Sequence, residues 1–352
     1  MSRGTILVTG AGGALGRAIA AQAAARPSTY GIFTLRDSSS PTSTIALSAA
    51  LRAATPGPGP GGEGSDSSHA YELASLDLSN LASVRTFATD INRRVASGEL
   101  PPIRALVLNA GYQEHFTLTK TADGFDMTFQ VCYLGHFLLT QLLLPSLDRL
   151  NGRILTIGSW MHDPSDPHIA SGIFTERFRT LLGAGVEAVA RGQWSTPETD
   201  PSASSGLRRY GAAKLCQVSF IGVPVRLELQ RRLNSSPSFN KICSSALDPG
   251  AMPSTLMKRG SWFQGYIINQ WGGWAFAPLL TWWSPNGFLR TPTKSASDAI
   301  AILYEKESPG GVYFNGSDVH TPSEEARDEA VATKLWEESI NLAGMTPREA
   351  NL

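Results

Sequence analysis

Residues 6–16 read ILVTGAGGALG, an apolar stretch that runs directly into a glycine-rich segment. The apolar residues predict a buried strand, and an alanine-rich helical pattern begins near Leu15. Glycines at a strand-to-helix turn permit a tight bend and a close approach to a pyrophosphate, whose charge the helix N-terminus stabilises. The segment lacks the Gly-Lys-Ser/Thr ending of a P-loop. It therefore favours a dinucleotide over a nucleoside triphosphate as the bound cofactor.

Further β-rich apolar stretches alternate with helical patterns along the rest of the chain. Strands are predicted at 30–35, 71–76, 105–109, 153–157 and near 242–247, and helices at 44–54, 81–95, 126–144 and 210–233. Strands separated by helices require right-handed crossovers, which produce a parallel sheet with helices on both faces. The sequence thus predicts an α/β fold: a single doubly wound Rossmann-type domain over residues 1–352.

Two insertions extend this predicted domain. Residues 56–68, PGPGPGGEGSDSS, are too rich in glycine and proline for a helix or strand, and we expect a disordered surface loop. Residues 163–205 follow the carboxyl end of a predicted strand, where doubly wound sheets place their ligand crevice. This second insertion, with helical material around 173–189, either lines the substrate site or is a surface excursion without ligand contact.

Composition excludes several function classes. The 352 residues carry 30 basic and 30 acidic side chains, so the chain lacks the basic excess that binding to nucleic acid requires. The three cysteines have no CxxC spacing, which indicates no disulfide framework and no metal site and suits a reducing, cytoplasmic location. We expect no signal peptide and no membrane span, although peripheral membrane contact stays open.

The end of the second predicted strand indicates the cofactor type. Arg36 and Asp37 follow this strand, and three serines come next. An acidic residue here binds the ribose 2′-hydroxyl of NAD, whereas an arginine accommodates the 2′-phosphate of NADP. Because Arg36 comes first and guanidinium binds phosphate bidentately, we expect NADP(H), with Asp37 turned to solvent or supporting Arg36.

Catalytic chemistry is indicated by Tyr210-Gly-Ala-Ala-Lys214, predicted to open a long helix. The i, i+4 spacing places the phenol and the ammonium on one helix face, where the cation favours the phenolate. Such a pair can exchange a proton with an alcohol or carbonyl oxygen. Ser159, at the end of the strand at 153–157, is the accompanying candidate.

At this point the sequence resembles the short-chain dehydrogenase/reductase superfamily and, more narrowly, its retinol-dehydrogenase-like branch. The matching superfamily motifs are TGAGGALG (9–16), LDLS (76–79), LNAG (108–111), IGS (157–159), YGAAK (210–214) and DPG (248–250). Segments such as LGHFLLTQLLL are similar to the branch. The resemblance covers nearly the whole chain apart from the insertions and part of residues 260–286.

The resemblance implies a role for each matching residue. The implied cofactor-binding residues are Gly10, Leu15, Gly16, Arg36, Asp77, Leu78, Asn109, Ala110, Gly111, Tyr210, Lys214, Pro249, Gly250 and Ser254. Of the implied catalytic residues, Ser159 hydrogen-bonds the substrate oxygen, Tyr210 transfers the proton, and Lys214 binds the nicotinamide ribose and lowers the pKa of the tyrosine. The cofactor itself carries the hydride.

One departure from the family pattern concerns catalysis. Cys132 stands where the family usually has an asparagine, whose main-chain carbonyl, by resemblance, helps hold a water linked to the catalytic lysine. Cysteine keeps that carbonyl, so we expect a modified proton relay. A functional thiol is the alternative, and His136 on the same helix face is the feature that supports it.

The substrate side is predicted to be apolar. Residues 254–290 concentrate tryptophan and phenylalanine, which predicts an aromatic lid over a bulky hydrophobic ligand, or else rings packed against the C-terminal helices. We expect an NADP(H)-dependent oxidoreductase that interconverts a hydrophobic ketone or aldehyde and its alcohol in a specialised metabolic pathway. The alternatives are a catalytically weak dinucleotide-binding sensor or scaffold, and a dehydratase or epimerase of the same fold. The sequence leaves substrate identity, reaction direction and oligomeric state open.

Overall fold

Eight strands form one sheet within the residues that the computed structural model describes, which are 4–55, 69–169, 172–221, 228–252, 273–307, 309–347, 349–350 and 352. The strands are β1 (Gly4–Val8), β2 (Thr29–Leu35), β3 (His69–Ser75), β4 (Ile103–Leu108), β5 (Arg153–Ile157), β6 (Cys243–Asp248), β7 (Val312–Asn315) and β8 (Asp318–His320). Their order is β3-β2-β1-β4-β5-β6-β7-β8. All neighbours pair in parallel except β7 and β8, which form an antiparallel edge. The predicted doubly wound α/β fold is confirmed.

Helices connect the strands and cover both faces of the sheet. They are α1 (Ala14–Ala24), α2 (Pro41–Ala54), α3 (Leu81–Ala96), α4 (Met127–Phe129), α5 (Gly135–Leu143), α6 (Val186–Ala190), α7 (Ala203–Ile221), α8 (Glu228–Ser235), α9 (Gly273–Trp283), α10 (Pro292–Tyr304) and α11 (Glu329–Leu342). A π-helical turn, Gln130–Leu134, joins α4 to α5.

The core lies on both faces of the sheet because successive strand residues point in opposite directions. Along β1, Ile6 and Val8 pack into one apolar cluster and Leu7 packs into the other. All three are fully buried, which explains why β1 is a continuous apolar stretch rather than an alternating one.

Four sequence predictions differ from the structure. The long helix predicted at 126–144 is interrupted by the π-helical turn, and the helix predicted to begin at Tyr210 already begins at Ala203. Among the described residues of the second insertion that precede α7, the helical elements are a 3₁₀ turn at Glu176–Phe178 and the short α6. The strands β7 and β8 were absent from the prediction, because strands of four and three residues are too short to show a periodicity.

Within the described part of the chain, one helical stretch has the length and composition of a membrane span. Met127–Ser146 has 20 residues and a mean hydropathy of 1.3, and among the described residues it alone meets these criteria. However, 83% of its apolar window is buried inside the fold, as is usual for a core helix. Its hydrophobicity is therefore accounted for by packing against the sheet.

Candidate active site

A cavity of about 700 Å³ follows the carboxyl ends of the central strands. Its walls include Ser159, Tyr210 and Lys214 together with all the predicted cofactor-binding residues except Ser254, which lies outside the described residues. The turns after β1, β2, β3, β4, β5 and β6 each contribute to it. This is the edge at which doubly wound sheets hold their ligands.

The glycine-rich turn lets two loops pack without side chains between them. Gly10 has φ +65°, and a Cβ atom there would lie 2.7 Å from Cα of Ala110. A Cβ atom on Gly16 would lie 2.4 Å from the carbonyl oxygen of Gly10. Helix α1 starts after Gly13 with no side-chain cap and no acidic residue in its first turn. Its first N–H groups are thus available to an anion, so this cradle fits a dinucleotide pyrophosphate.

Hydrogen bonds fix the glycine turn to the loop that follows β4. The hydroxyl of Thr9 accepts the backbone N–H groups of Asn109 and Ala110, at 2.9 and 3.0 Å. The side-chain amide of Asn109 donates to the carbonyl oxygens of Thr9 and Gly10. Four hydrogen bonds therefore join the loops that follow β1 and β4 at the edge of the cavity.

Directly after β2, Arg36 and Asp37 have different surroundings. Arg36 is exposed, lines the cavity and forms no ion pair with another described residue. Asp37 instead accepts hydrogen bonds from the backbone N–H and the hydroxyl of Ser39, which lower its pKa. The cation is thus available to a ligand, while the carboxylate is engaged by its own turn.

The three predicted catalytic residues meet at the centre of the cavity. Ser159 follows β5, and its Oγ accepts the backbone N–H of Met161 at 3.2 Å. Tyr210 is hydrogen-bonded to Ser159, and the ammonium of Lys214 lies 5.5 Å from the centroid of the Tyr210 ring. Lys214 donates to the carbonyl oxygen of Ile157, the last residue of β5, at 2.7 Å.

Burial dominates the electrostatics of this centre. The pKa of Tyr210 is raised, with desolvation as the main cause and the hydrogen bond from Ser159 acting in the opposite direction. Burial likewise lowers the pKa of Lys214. Without bound ligand the phenol is therefore neutral at pH 7, and it can act as a proton donor.

Cys132 lies in the π-helical turn directly behind these residues. Its thiol is fully buried between the backbone N–H and C=O of Tyr112, with sulfur 3.4 Å from each, and burial raises the pKa of the thiol. The ring nitrogens of His136 are engaged elsewhere, with Nδ1 2.9 Å from the carbonyl oxygen of Cys132 and Nε2 2.9 Å from the hydroxyl of Thr9. A neutral thiol in this environment is a poor nucleophile, so the geometry favours a structural side chain.

His136 connects the π-helical turn to the glycine turn. It is fully buried, and burial lowers its pKa to about 4, so the ring is neutral at pH 7. Because a carbonyl can only accept, Nδ1 carries the proton and donates to Cys132, while Nε2 accepts from the hydroxyl of Thr9 at 2.9 Å. His136 therefore links the glycine turn to the π-helical turn, a role that its place in the sequence did not indicate.

His162 is buried and makes a second contact, with the turn that carries Ser159. Its Nδ1 lies 2.7 Å from the carbonyl oxygen of Ser159, and its Nε2 accepts the backbone N–H of Ser323 at 3.1 Å. Both partners require the neutral ring with its proton on Nδ1. The spacing Ser-x-x-His was the available signal, but the contact with Ser323 joins positions 161 residues apart.

Two buried arginines attach the second insertion to helix α7. Arg208 donates to Ser195 Oγ and the carbonyl oxygen of Ile173, and it pairs with Asp200. Arg209 donates to the carbonyl oxygen of Ser195 and forms a buried ion pair with Asp126. The insertion is thus hydrogen-bonded to the first turns of α7. None of its described residues lines the 700 Å³ cavity.

The described part of the predicted aromatic lid does not line this cavity either. Trp282 and Trp283 are 77% and 81% exposed at the end of α9, and the lining includes none of residues 273–290. Trp262, Phe263 and Trp271, on which the prediction also depended, lie outside the described residues.

Comparison with known proteins agrees with this architecture. The short chain dehydrogenase family profile matches residues 63–170. A short-chain dehydrogenase of Talaromyces variabilis, iccH, is 39% identical over 367 aligned positions, covering 97% of this chain and 96% of that protein. Mouse retinol dehydrogenase 13 is 32% identical, covering 77% of this chain and 67% of that protein. Among solved structures, an angucycline C-6 ketoreductase, LanV, with bound NADP has a TM-score of 0.54 at 16% identity, covering 89% of this chain and 95% of that one.

The chain therefore belongs to the short-chain dehydrogenase/reductase superfamily, an enzyme family of nicotinamide-dinucleotide-dependent oxidoreductases. Within it, the similarity to retinol dehydrogenases confirms the predicted branch.

Proposed function

We propose that the protein is an NADPH-dependent reductase of hydrophobic ketones or aldehydes. The observation that carries the proposal is the meeting of Ser159, Tyr210 and Lys214 in the cavity that also contains the glycine cradle. A sensor or scaffold would need the cradle but not the three polar side chains beside it. The same arrangement favours carbonyl reduction over dehydration or epimerisation, since it presents a single protonated phenol to a substrate oxygen.

The choice of NADP(H) is supported by Arg36. Its guanidinium is exposed at the adenosine end of the cavity, and no carboxylate among the described residues pairs with it. Asp37, which would compete for a ribose hydroxyl, is engaged by Ser39. A 2′-phosphate would find a bidentate donor here, whereas a free 2′-hydroxyl would gain little.

In the proposed mechanism, the protein orients and polarises the carbonyl group. Ser159 Oγ accepts from the backbone of Met161, so its own proton is directed toward Tyr210 and the substrate oxygen. The nicotinamide ring supplies the hydride when it is bound. Tyr210 donates its phenolic proton to the oxygen that becomes the alcohol.

Lys214 supports this step from behind the phenol. Its contact with the carbonyl oxygen of Ile157 fixes the ammonium beside the floor of the cavity, where the ribose hydroxyls of the cofactor would bind. A buried cation also stabilises the phenolate that remains after proton transfer. The raised pKa of Tyr210 favours the reductive direction, because oxidation would require the phenolate at the start.

The substrate class is inferred from the walls around Ser159. Apolar side chains dominate this part of the cavity: Met127, Val131, Trp160, Met161, Leu207 and Met252. Methionine adapts to ligands of different shape, and an apolar wall with few polar groups suits a bulky hydrophobic carbonyl compound. The proposal includes a specialised metabolic pathway and a cytoplasmic location. Three unbridged cysteines support that location.

The test is turnover by the purified protein with NADPH and with NADH across aromatic and alicyclic ketones and aldehydes. We expect NADPH consumption with bulky hydrophobic ketones and much slower reaction with NADH. Tight NADPH binding with no turnover on any carbonyl compound would instead favour the sensor.

A further inference from the structure

Gln113 is a buried polar side chain in the wall of the cavity, and it belongs to none of the family motifs. It follows the Asn109-Ala110-Gly111 turn, is 5% exposed, and lines the same cavity as Ser159. The lining near Ser159 includes apolar side chains such as Met127, Val131 and Leu207. A fixed polar group in a largely apolar wall determines how a ligand is oriented.

Glu114 and His115, which follow Gln113, contact the helix that carries Tyr210, and this places Gln113 near the proposed substrate site. A Cβ atom on Gly206 would lie 2.0 Å from the carbonyl oxygen of Glu114 and 2.7 Å from Cα of His115. The segment after Gln113 is thus in direct contact with helix α7. Gly206 lies four residues before Tyr210, so the contact is on the same helix face as the proposed proton donor.

The amide of Gln113 is held by His115, which is also 5% exposed. The two side chains meet with Nε2 of Gln113 3.1 Å from Nε2 of His115. Nδ1 of His115 is buried and has no hydrogen-bond partner among the described residues. Burial lowers the pKa of His115, so the ring is neutral and carries one proton.

The location of that proton decides which end of the amide faces the cavity. If the amide NH₂ donates to Nε2, the histidine proton sits on Nδ1 as a buried donor without a partner, which is unfavourable. Turning the amide over exchanges its oxygen and nitrogen, and Nε2–H then donates to the oxygen. In the second arrangement Nδ1 carries an unpaired lone pair instead of an unpaired N–H, and a buried N–H without a partner is the rarer of the two in proteins. The second arrangement is therefore favoured, and it directs the NH₂ group of Gln113 toward the cavity that this residue lines.

We propose that Gln113, oriented by His115, forms a subsite for a second oxygen of the substrate. This inference rests on the proposed ketone reduction and narrows its substrate class to ketones that carry a further hydrogen-bond acceptor. Ketones without such an oxygen leave the buried NH₂ group unpaired and bind less tightly. Discrimination of roughly tenfold is expected from one such hydrogen bond.

The test compares alpha-tetralone with its hydroxy and methoxy isomers, each substituted at a different ring position. Binding to the NADPH complex is measured by calorimetry, and turnover by NADPH consumption. For at least one ring position, both the hydroxy and the methoxy isomer should exceed the parent ketone roughly tenfold in affinity and in kcat/KM. Because methoxy oxygen only accepts, a preference confined to hydroxy isomers would overturn the proposed orientation of the amide.

Variants of Gln113 test whether this residue causes the preference for substituted tetralones. Gln113→Leu should abolish it, and Gln113→Glu, whose carboxylate only accepts, should remove the methoxy preference in particular. Gln22→Leu makes the same change on the exposed face of α1, where the amide contacts Thr293 and Ser297, and should leave the preference intact. NADPH affinity reports that each variant is folded.

The outcomes separate this subsite from the proposed function. A binding preference without turnover would refute the reductase and retain the subsite. Turnover with no preference among isomers, or a preference that survives Gln113→Leu, would refute the subsite alone. Absence of both binding and turnover for every tetralone would refute both.

Discussion

Replacing His162 by phenylalanine should slow catalysis through Ser159 while cofactor binding persists. His162 holds the carbonyl oxygen of Ser159 and accepts the backbone N–H of Ser323, and it lies 3% exposed outside the 700 Å³ cavity. Phenylalanine fills much of the same space but can neither donate nor accept. The turn that presents the Ser159 hydroxyl then loses its link to the C-terminal segment.

The size of the effect follows from the hydrogen bonds lost. The bond to the carbonyl oxygen of Ser159 contributes about 1 kcal/mol, and the buried N–H of Ser323 left unpaired costs about 1–3 kcal/mol, so the free energy of unfolding should fall by roughly 2–4 kcal/mol. Complete loss of a polarising donor typically lowers kcat by about 10²–10³-fold. Because the Ser159 hydroxyl is retained but held less firmly, we expect about a tenfold loss in kcat.

A double-mutant cycle distinguishes positioning from general destabilisation. His162→Phe should lower kcat about tenfold in the wild type but scarcely at all when Ser159 is already alanine. His168→Phe serves as the control, since this exposed histidine stacks on Phe288 and makes no contact with Ser159. Equal losses from His162→Phe in both backgrounds, measured well below the unfolding temperature, would refute a role through Ser159.

Three further predictions concern the cofactor, the π-helical turn and stability. Arg36→Ala should weaken NADPH binding by about 1.5–3 kcal/mol and leave NADH nearly unchanged, as measured by dissociation constants; equal losses would exclude a phosphate contact. Cys132→Ala should retain most activity, because the main-chain carbonyl that His136 contacts is unchanged. If turnover is lost in this variant and also after alkylation of the wild-type thiol, while NADPH binding is intact, the thiol is the functional group. Burial raises the pKa of Asp126 from 3.8 to about 6, so folding favours its protonated form, and stability should fall as pH rises from about 4 to 6. The stability of Asp126→Asn, measured by thermal unfolding, should not fall over this pH range. If the variant shows the same fall in stability, a group other than Asp126 causes it.

The fold was predictable because its signals are local. The apolar stretch at β1 and the glycines after it specify a buried strand and a tight turn, and both depend on adjacent residues only. The placement of Ser159, Tyr210 and Lys214 in one cavity followed from the rule that parallel strands end at one edge, combined with family resemblance.

What the sequence did not show depends on distant partners. Arg208 and Arg209 are buried because carbonyl oxygens and carboxylates from Asp126 and the second insertion surround them, so α7 extends two turns before Tyr210. The sequence of residues 203–209 does not indicate these distant partners. The sequence also predicted that a cation would favour the Tyr210 phenolate, whereas burial of the phenol raises its pKa.

The most direct test of the account is the rate of NADPH-dependent ketone reduction by wild type and by Tyr210→Phe, at an enzyme concentration where chemistry limits turnover. The phenylalanine variant keeps the ring in its apolar contacts and removes only the transferable proton. We predict that turnover falls by at least about 10²-fold while the NADPH dissociation constant stays within about twofold. We also predict that the wild-type rate changes little between pH 6 and 8, because the pKa of Tyr210 lies above its ordinary value. A Tyr210→Phe enzyme that retains most of its activity would contradict the account and place the proton donor elsewhere.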